Sequence, residues 1–137
     1  MLHKTPLYYP IFLQSFRIGV ELLIYFTFLE GVFPKRVTFE GLNFDIVVGL
    51  SAIGIGWAVY KGKIGRKGVL VWNIVSLCVL ALTVFSFNWS YYFNRNELSE
   101  AAMKFIEFPY LLLAACLLPI AIFLHVFSIR QLQVRQP

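Results

Sequence analysis

Three polar side chains interrupt the apolar segment FLQSFRIGVELLIYF, residues 12–26. Gln14, Arg17 and Glu21 stand at positions i, i+3 and i+7, so a helix places all three on one face. Arg17 and Glu21 are also spaced to neutralise each other across one helical turn. An arginine at the centre of a membrane helix costs about 2.5 to 3.5 kcal/mol on insertion scales. We therefore expect this face to turn inward, away from lipid.

Two other apolar segments carry polar groups that can join this face. VWNIVS contains Asn73 and Ser76, and FLHVFSIR contains His125. One interpretation makes Glu21 and His125 a general acid and base pair. In that case Arg17 binds an anionic head group, which Asn73 orients. The other interpretation, which we favour, is a hydrogen-bonded polar layer that fixes the register and rotation of packed helices.

A third polar group lies in TFEGLNFD, which contains Glu40, Asn43 and Asp45. These side chains are able to bind a cation, but a solvated loop with a helix cap explains them more simply. The sequence contains no HExxH, no GxSxG and no haem-type histidine pair, so no catalytic motif is recognised. We predict neither a metal nor another cofactor, and the question of an enzyme stays open.

The elements that must position these residues are apolar helices. Of the 137 residues, 59% are hydrophobic and 14% are charged, whereas soluble domains are about 25% charged. Lipid must therefore be the main solvent, and segments of about 20 apolar residues cross it as helices. We predict an all-α polytopic membrane protein, a single four-helix bundle over residues 1–137. Its predicted helices are residues 10–33, 43–60, 69–88 and 108–128.

Charge placement predicts the orientation of this bundle. One side carries six acidic residues mixed with basic ones: Glu30, Glu40, Asp45, Glu97, Glu100 and Glu107, with Lys35, Arg36, Arg95 and Lys104. The other side carries seven basic residues: Lys4, Lys61, Lys63, Arg66, Lys67, Arg130 and Arg135. The positive-inside rule places this second side, and both termini, in the cytoplasm. The net charge of +5 is then an orientation signal, and we predict no nucleic-acid partner.

This orientation predicts where the polar groups lie in depth. Gln14, Arg17, Glu21, Asn73, Ser76 and His125 fall in the inner half of the membrane, and the TFEGLNFD group falls near the outer surface. Two local features accompany them. Small residues in the second helix, Gly49 to Gly56, allow a neighbouring helix to approach closely. Pro119 removes a backbone bond to the carbonyl of Ala115 and should bend the fourth helix.

The pattern FRIGVELL…TFEGLNFDIVVGL…WN…FP…LH…RQL resembles small four-helix integral membrane proteins of bacteria. The resemblance covers nearly the whole chain, and TFEGLNFDIVVGL is its most specific part. It implies a bacterial inner membrane and one intact domain. It implies no activity, cofactor or catalytic residue.

Three functional hypotheses follow. The first is a non-enzymatic membrane module that packs within its own bundle, against a second copy or against another membrane protein. The second is an enzyme or binding protein for a lipid-like small molecule that uses the inner polar cluster. The third is transport by an oligomer, since four helices with one polar seam enclose little volume. In all three the lipid bilayer is the primary partner.

Overall fold

The computed structural model of the chain describes residues 5–93 and 107–134, which contain helices, turns and loops but no strand. This confirms the all-α class. A π-helical turn, Leu113–Leu117, leads directly into the last helix. The α-helices of the described residues are α1 (Tyr8–Leu13), α2 (Phe16–Leu29), α3 (Asp45–Tyr60), α4 (Arg66–Phe93) and α5 (Leu118–Val134).

Three helical stretches are long and apolar enough to cross a membrane: Tyr8–Leu29, Arg66–Ser90 and Leu113–Val134. The last of these extends six residues beyond the predicted end at residue 128. Helix α3 has 16 residues and is about 24 Å long, which is shorter than the ~30 Å hydrocarbon core. Helices long and apolar enough to cross a membrane are thus confirmed for three of the four predicted segments.

Helix α2 ends in a glycine-dependent cap. Gly31 has a φ of 73°, the left-handed conformation that glycine adopts without steric cost. Its N–H donates to the carbonyl of Phe28, and the N–H of Val32 donates to that of Thr27. These two bonds form a Schellman motif and satisfy carbonyls at the helix end. The chain therefore turns sharply after α2.

After this turn the chain folds back along α2. We call residues 34–44 the re-entrant segment. The ring of Phe39 packs against Tyr25, with 4.7 Å between centroids, and the amide of Asn43 donates to the carboxylate of Glu21 at 2.8 Å. The segment thus runs from the C-terminal end of α2 towards its middle, and α3 begins there. Non-helical backbone at such a depth is tolerated where protein buries it.

Helix α3 packs closely against the first two helices through its small residues. A Cβ atom added at Gly49 would lie 2.8 Å from Cγ1 of Ile18, and one at Gly56 would lie 3.0 Å from the ring of Phe12. Both glycines are buried, whereas a Cβ added at Gly54 would have no atom within 4 Å. The predicted close approach of a helix to these small residues is confirmed. The neighbours of α3 are α1 and α2, and α2 carries Arg17 and Glu21 of the polar face.

This packing predicts a difference between two glycines of one helix. Gly49→Leu should destabilise the protein by about 1 to 3 kcal/mol, because the added side chain overlaps Ile18. Gly54→Leu is the matched control and should have little effect, since its site is open. Equilibrium unfolding in mixed dodecylmaltoside and SDS micelles measures both. Equal losses of stability would contradict the close packing of α3.

A π-helical turn lies just before Pro119, the residue predicted to bend the fourth helix. The N–H of Leu118 donates to the carbonyl of Leu113, five residues earlier, and Pro119 has no N–H to offer to Ala115. π-helical turns are frequent at functional sites. Here the turn forms part of the wall of a cavity.

Part of the charge pattern used for orientation lies outside the described residues, namely Lys4, Arg95, Glu97, Glu100, Lys104 and Arg135. Lys61, Lys63, Arg66 and Lys67 are exposed between α3 and the first turn of α4. The orientation itself stays a prediction.

Candidate functional site

The predicted inner cluster is buried in the bundle. None of its residues is more than 1% exposed, whereas many large apolar side chains lie on the surface. The expectation that the polar face of the first helix turns inward is confirmed. The buried members are Gln14, Arg17, Glu21, Asn73, Ser76 and His125.

Arg17 forms its ion pair with Asp45. Its Nε donates to Oδ2 at 2.7 Å, and its Nη2 donates to Oδ1. Two parallel bonds from a guanidinium to a carboxylate give a strong and directional pair. The predicted pairing of Arg17 with Glu21 is wrong, because the start of α3 places the Asp45 carboxylate beside the guanidinium. Within the described residues, no cationic group lies within ion-pair distance of Glu21.

His125 links Arg17 to helix α4. Its Nε2 lies 3.2 Å from Nη1 of Arg17, and its Nδ1 lies 2.9 Å from Oδ1 of Asn73. The amide nitrogen of Asn73 donates to the carbonyl of Val69 and to the hydroxyl of Ser128. With the amide assigned in this way, Nδ1 carries the imidazole proton and Nε2 accepts from Arg17. Both ring nitrogens are therefore used inside the protein.

Asn43 joins the re-entrant segment to the polar cluster. Its Nδ2 lies 2.9 and 2.8 Å from the two oxygens of Glu21 and donates also to the carbonyl of Val37. Its Oδ1 accepts from the backbone N–H of Asp45 and from the hydroxyl of Thr83. This one side chain thus connects α2, α3, α4 and the re-entrant segment.

The predicted outer group does not stay together. Asn43 and Asp45 are buried at 0% and 5% exposure, so the expectation that they form a solvated loop is wrong. The reason is that the re-entrant segment carries both of them to the level of Glu21 and Arg17. Glu40 remains exposed, where it pairs with Lys35 at 3.2 Å.

Gln14 and Ser76 complete the buried cluster. The Gln14 amide nitrogen donates to the carbonyl of Ala121 at 3.2 Å and so joins the junction of α1 and α2 to α5. Its Oε1 is buried and has no hydrogen-bond partner in the described part of the chain. Ser76 lies on the same face of α4 as Asn73 and is 1% exposed. Both residues belong to the packed side of the cluster.

A cavity of about 430 Å³ lies beside the polar cluster, between α2, α4, the π-helical turn and α5. One arginine and two acidic residues line it: Arg17, Glu21 and Asp45. The rest of its wall is mainly apolar and includes Val20, Ile24, Phe33, Leu80, Val84, Phe87, Leu113, Ala114 and Leu117. His125 does not line this cavity and packs against the Trp72 ring, with 5.7 Å between centroids. The two proposed acid and base residues are therefore divided between the cavity and the packed interior.

Thr83 and Ser90 also line the cavity, and our sequence analysis did not identify them. Thr83 donates to Asn43 at 2.9 Å. The hydroxyl of Ser90 is buried without a hydrogen-bond partner among the described residues. Both follow Ser76 at intervals of seven residues, a spacing that keeps side chains on nearly one helical face. This periodicity is the signal from which they could have been found.

Comparison of the chain with protein-family models, curated proteins and solved structures finds no match. The geometry of the site is therefore the basis for its function. That geometry combines a mainly apolar cavity with a small polar wall, the usual character of a small-molecule site.

Proposed function

We propose that the chain is an integral protein of the bacterial inner membrane, related to the small four-helix proteins that its pattern resembles. Helix α3 and the re-entrant segment together provide the fourth crossing, and both termini are cytoplasmic. The exposed bases at Lys61, Lys63 and Lys67 support this orientation, since basic loops favour the cytoplasm. The re-entrant segment contacts Tyr25 through Phe39, and α3 reaches Phe12 through Gly56. These contacts support a crossing that the 16 residues of α3 do not complete alone.

We propose further that the protein binds a small lipid-like molecule without transforming it. The observation that supports this proposal is the cavity of about 430 Å³. Its volume lies within the range of about 300 to 1,000 Å³ that is usual for small-molecule sites. Its apolar walls suit a hydrocarbon chain, and its polar wall suits one head group. No comparable opening is needed if the polar residues serve packing alone.

The polar network divides into two parts with different roles. Gln14, Asn73, His125 and Ser128 form a packed layer that joins the first helix, α4 and α5. These hydrogen bonds support the structural role that the sequence favours. Glu21 and the Arg17–Asp45 pair face the cavity and are the groups that contact a ligand. The binding role therefore adds to the packing role.

The test is to fill the cavity without touching its polar wall. Ala114 lines the cavity from the π-helical turn, whereas the neighbouring Ala115 is exposed and does not line it. Protein purified from its membrane in mild detergent is analysed by native mass spectrometry and by extraction. We expect the wild type and Ala115→Phe to retain one amphiphilic molecule and Ala114→Phe to lose at least about nine-tenths of it, more than a tenfold weakening.

Ligand retention is interpreted only for variants that are shown to be folded. Circular dichroism and the unfolding midpoint show whether both variants remain folded. A well-folded wild type that carries no molecule, and that takes up none from a total lipid extract, would refute a binding function. Equal retention by the two phenylalanine variants would show that the ligand lies elsewhere.

A further inference from the structure

The charges that line the cavity do not balance. Arg17 and Asp45 face each other in a two-bond ion pair, so their formal charges cancel. Glu21 also lines the wall, and it has no cationic partner within ion-pair distance among the described residues. When Glu21 is ionised, the wall carries one negative charge that the Arg17–Asp45 pair does not compensate. Glu21 itself is 1% exposed.

The hydrogen bonds of Glu21 do not use all of its acceptor capacity. Among the described residues, one side-chain donor, Nδ2 of Asn43, serves both carboxylate oxygens at 2.9 and 2.8 Å. An ionised carboxylate has about four acceptor positions, and Glu21 is one of the residues that line the cavity. A buried charge without a partner is strongly unfavourable. A cationic donor in the cavity removes this cost, and an anionic one increases it.

Arg17 does not make the cavity favour an anionic head group. Its Nε and Nη2 donate to Asp45, and its Nη1 lies against Nε2 of His125. Because the carboxylate neutralises the guanidinium, an anionic head group would meet two negative residues for one positive residue on the wall. The sequence-based expectation that Arg17 binds an anionic head therefore has little support from this arrangement.

We propose that the molecule bound in the cavity is an alkyl ammonium amphiphile, with Glu21 as the counterion of its head group. This inference rests on the proposed binding function and specifies its ligand. Thr83, beside the Glu21–Asn43 pair, and Ser90 both line the cavity. Seven residues of helix separate them by about 10 Å. An alkyl chain of that length fits along the apolar wall from the carboxylate towards Ser90.

Three probes with one chain and different heads test this proposal: octylamine, octanol and octanoate. Binding to the purified protein in dodecylmaltoside micelles is measured by native mass spectrometry. We expect octylamine to bind at least about tenfold more tightly than the other two. Ethylamine, which has the head without the chain, should bind at least about tenfold more weakly than octylamine.

Variants of two glutamates separate the head group from general charge. Glu21→Gln should remove the preference for octylamine over octanol while octanol binding remains. Glu30→Gln is the control, since Glu30 is exposed at the end of α2 and does not line the cavity. The preference for octylamine over octanol and octanoate is measured on the wild type alone. It therefore tests the ammonium assignment even if Glu21→Gln fails to fold.

The results distinguish this proposal from the function on which it rests. Octanol or octanoate binding as tightly as octylamine, or ethylamine binding as tightly, overturns the ammonium assignment. So does an octylamine preference that survives Glu21→Gln, or the absence of octylamine binding when a copurified molecule still responds to Ala114→Phe. A protein that retains no copurified molecule and binds no octyl probe contradicts the binding function itself.

Discussion

Asp45→Ala should lower the free energy of unfolding by about 3 to 5 kcal/mol, because it leaves the Arg17 guanidinium as a buried charge without a counterion. Arg17 is 1% exposed and Asp45 is 5% exposed. The two parallel bonds between them hold the start of α3 against α2. Equilibrium unfolding in mixed dodecylmaltoside and SDS micelles measures the loss.

A second ion pair in the chain provides the control for this variant. Glu40 is exposed and pairs with Lys35 at 3.2 Å, and Glu40→Ala should change stability by no more than about 1 kcal/mol. The double variant Arg17→Met with Asp45→Leu removes both charges and should be more stable than Asp45→Ala alone. If Asp45→Ala behaves like Glu40→Ala, the buried pair does not hold α3 in place.

Asn43→Leu should destabilise the protein by at least about 3 kcal/mol, since each buried polar group left without a partner costs about 1 to 3 kcal/mol. The change removes the donor to Glu21 and to the Val37 carbonyl, and the acceptor for Thr83 and for the Asp45 N–H. The re-entrant segment then loses the hydrogen bonds by which Asn43 joins it to three helices. The same unfolding titration reports this change.

Asn88→Leu is the matched control for Asn43→Leu. Asn88 also has a side-chain amide that donates to a carbonyl, that of Val84, but it is exposed. Its replacement should alter the free energy of unfolding by about 0.5 kcal/mol or less. Similar losses in the two leucine variants would mean that Asn43 does not anchor the re-entrant segment.

The inward polar face of the first helix could be predicted from the sequence. The spacing of Gln14, Arg17 and Glu21 puts them on one helical face, and the cost of exposing them to lipid decides which way that face turns. The close packing at Gly49 and the cap at Gly31 were predictable for a similar reason. Each depends on a local property of a residue type that the surrounding fold does not reverse.

The partner of Arg17 could not be predicted in this way. A fourth regular helix of membrane length would place Asp45 near the outer surface, far from Arg17. In the structure the chain folds back through residues 34–44 before α3 begins. Hydropathy measures how apolar a segment is and contains no information on the depth at which a helix starts. The Arg17–Asp45 pair therefore depends on a non-local contact.

The different positions of Glu21 and His125 relative to the cavity could not be predicted from the sequence either. The sequence places both residues in the inner polar cluster, but of the two only Glu21 lines the cavity. The ring nitrogens of His125 are hydrogen-bonded inside the protein, Nε2 to Arg17 and Nδ1 to Asn73. Which residues face a cavity depends on helix rotation and on the π-helical turn near Ala114. A difference of one residue in that turn moves a side chain to another face.

Photolabelling in reconstituted membranes tests most directly whether the cavity binds an amphiphile. Diazirine-bearing alkyl probes with amine, alcohol and carboxylate heads are each irradiated with the protein, and the adducts are mapped by mass spectrometry. Binding in the cavity predicts saturable labelling of its wall at Leu80, Val84 and Leu117 by at least one probe, prevented by the unlabelled compound. Labelling confined to the exposed Phe85 and Phe123 for all three probes, with no saturation, would contradict it.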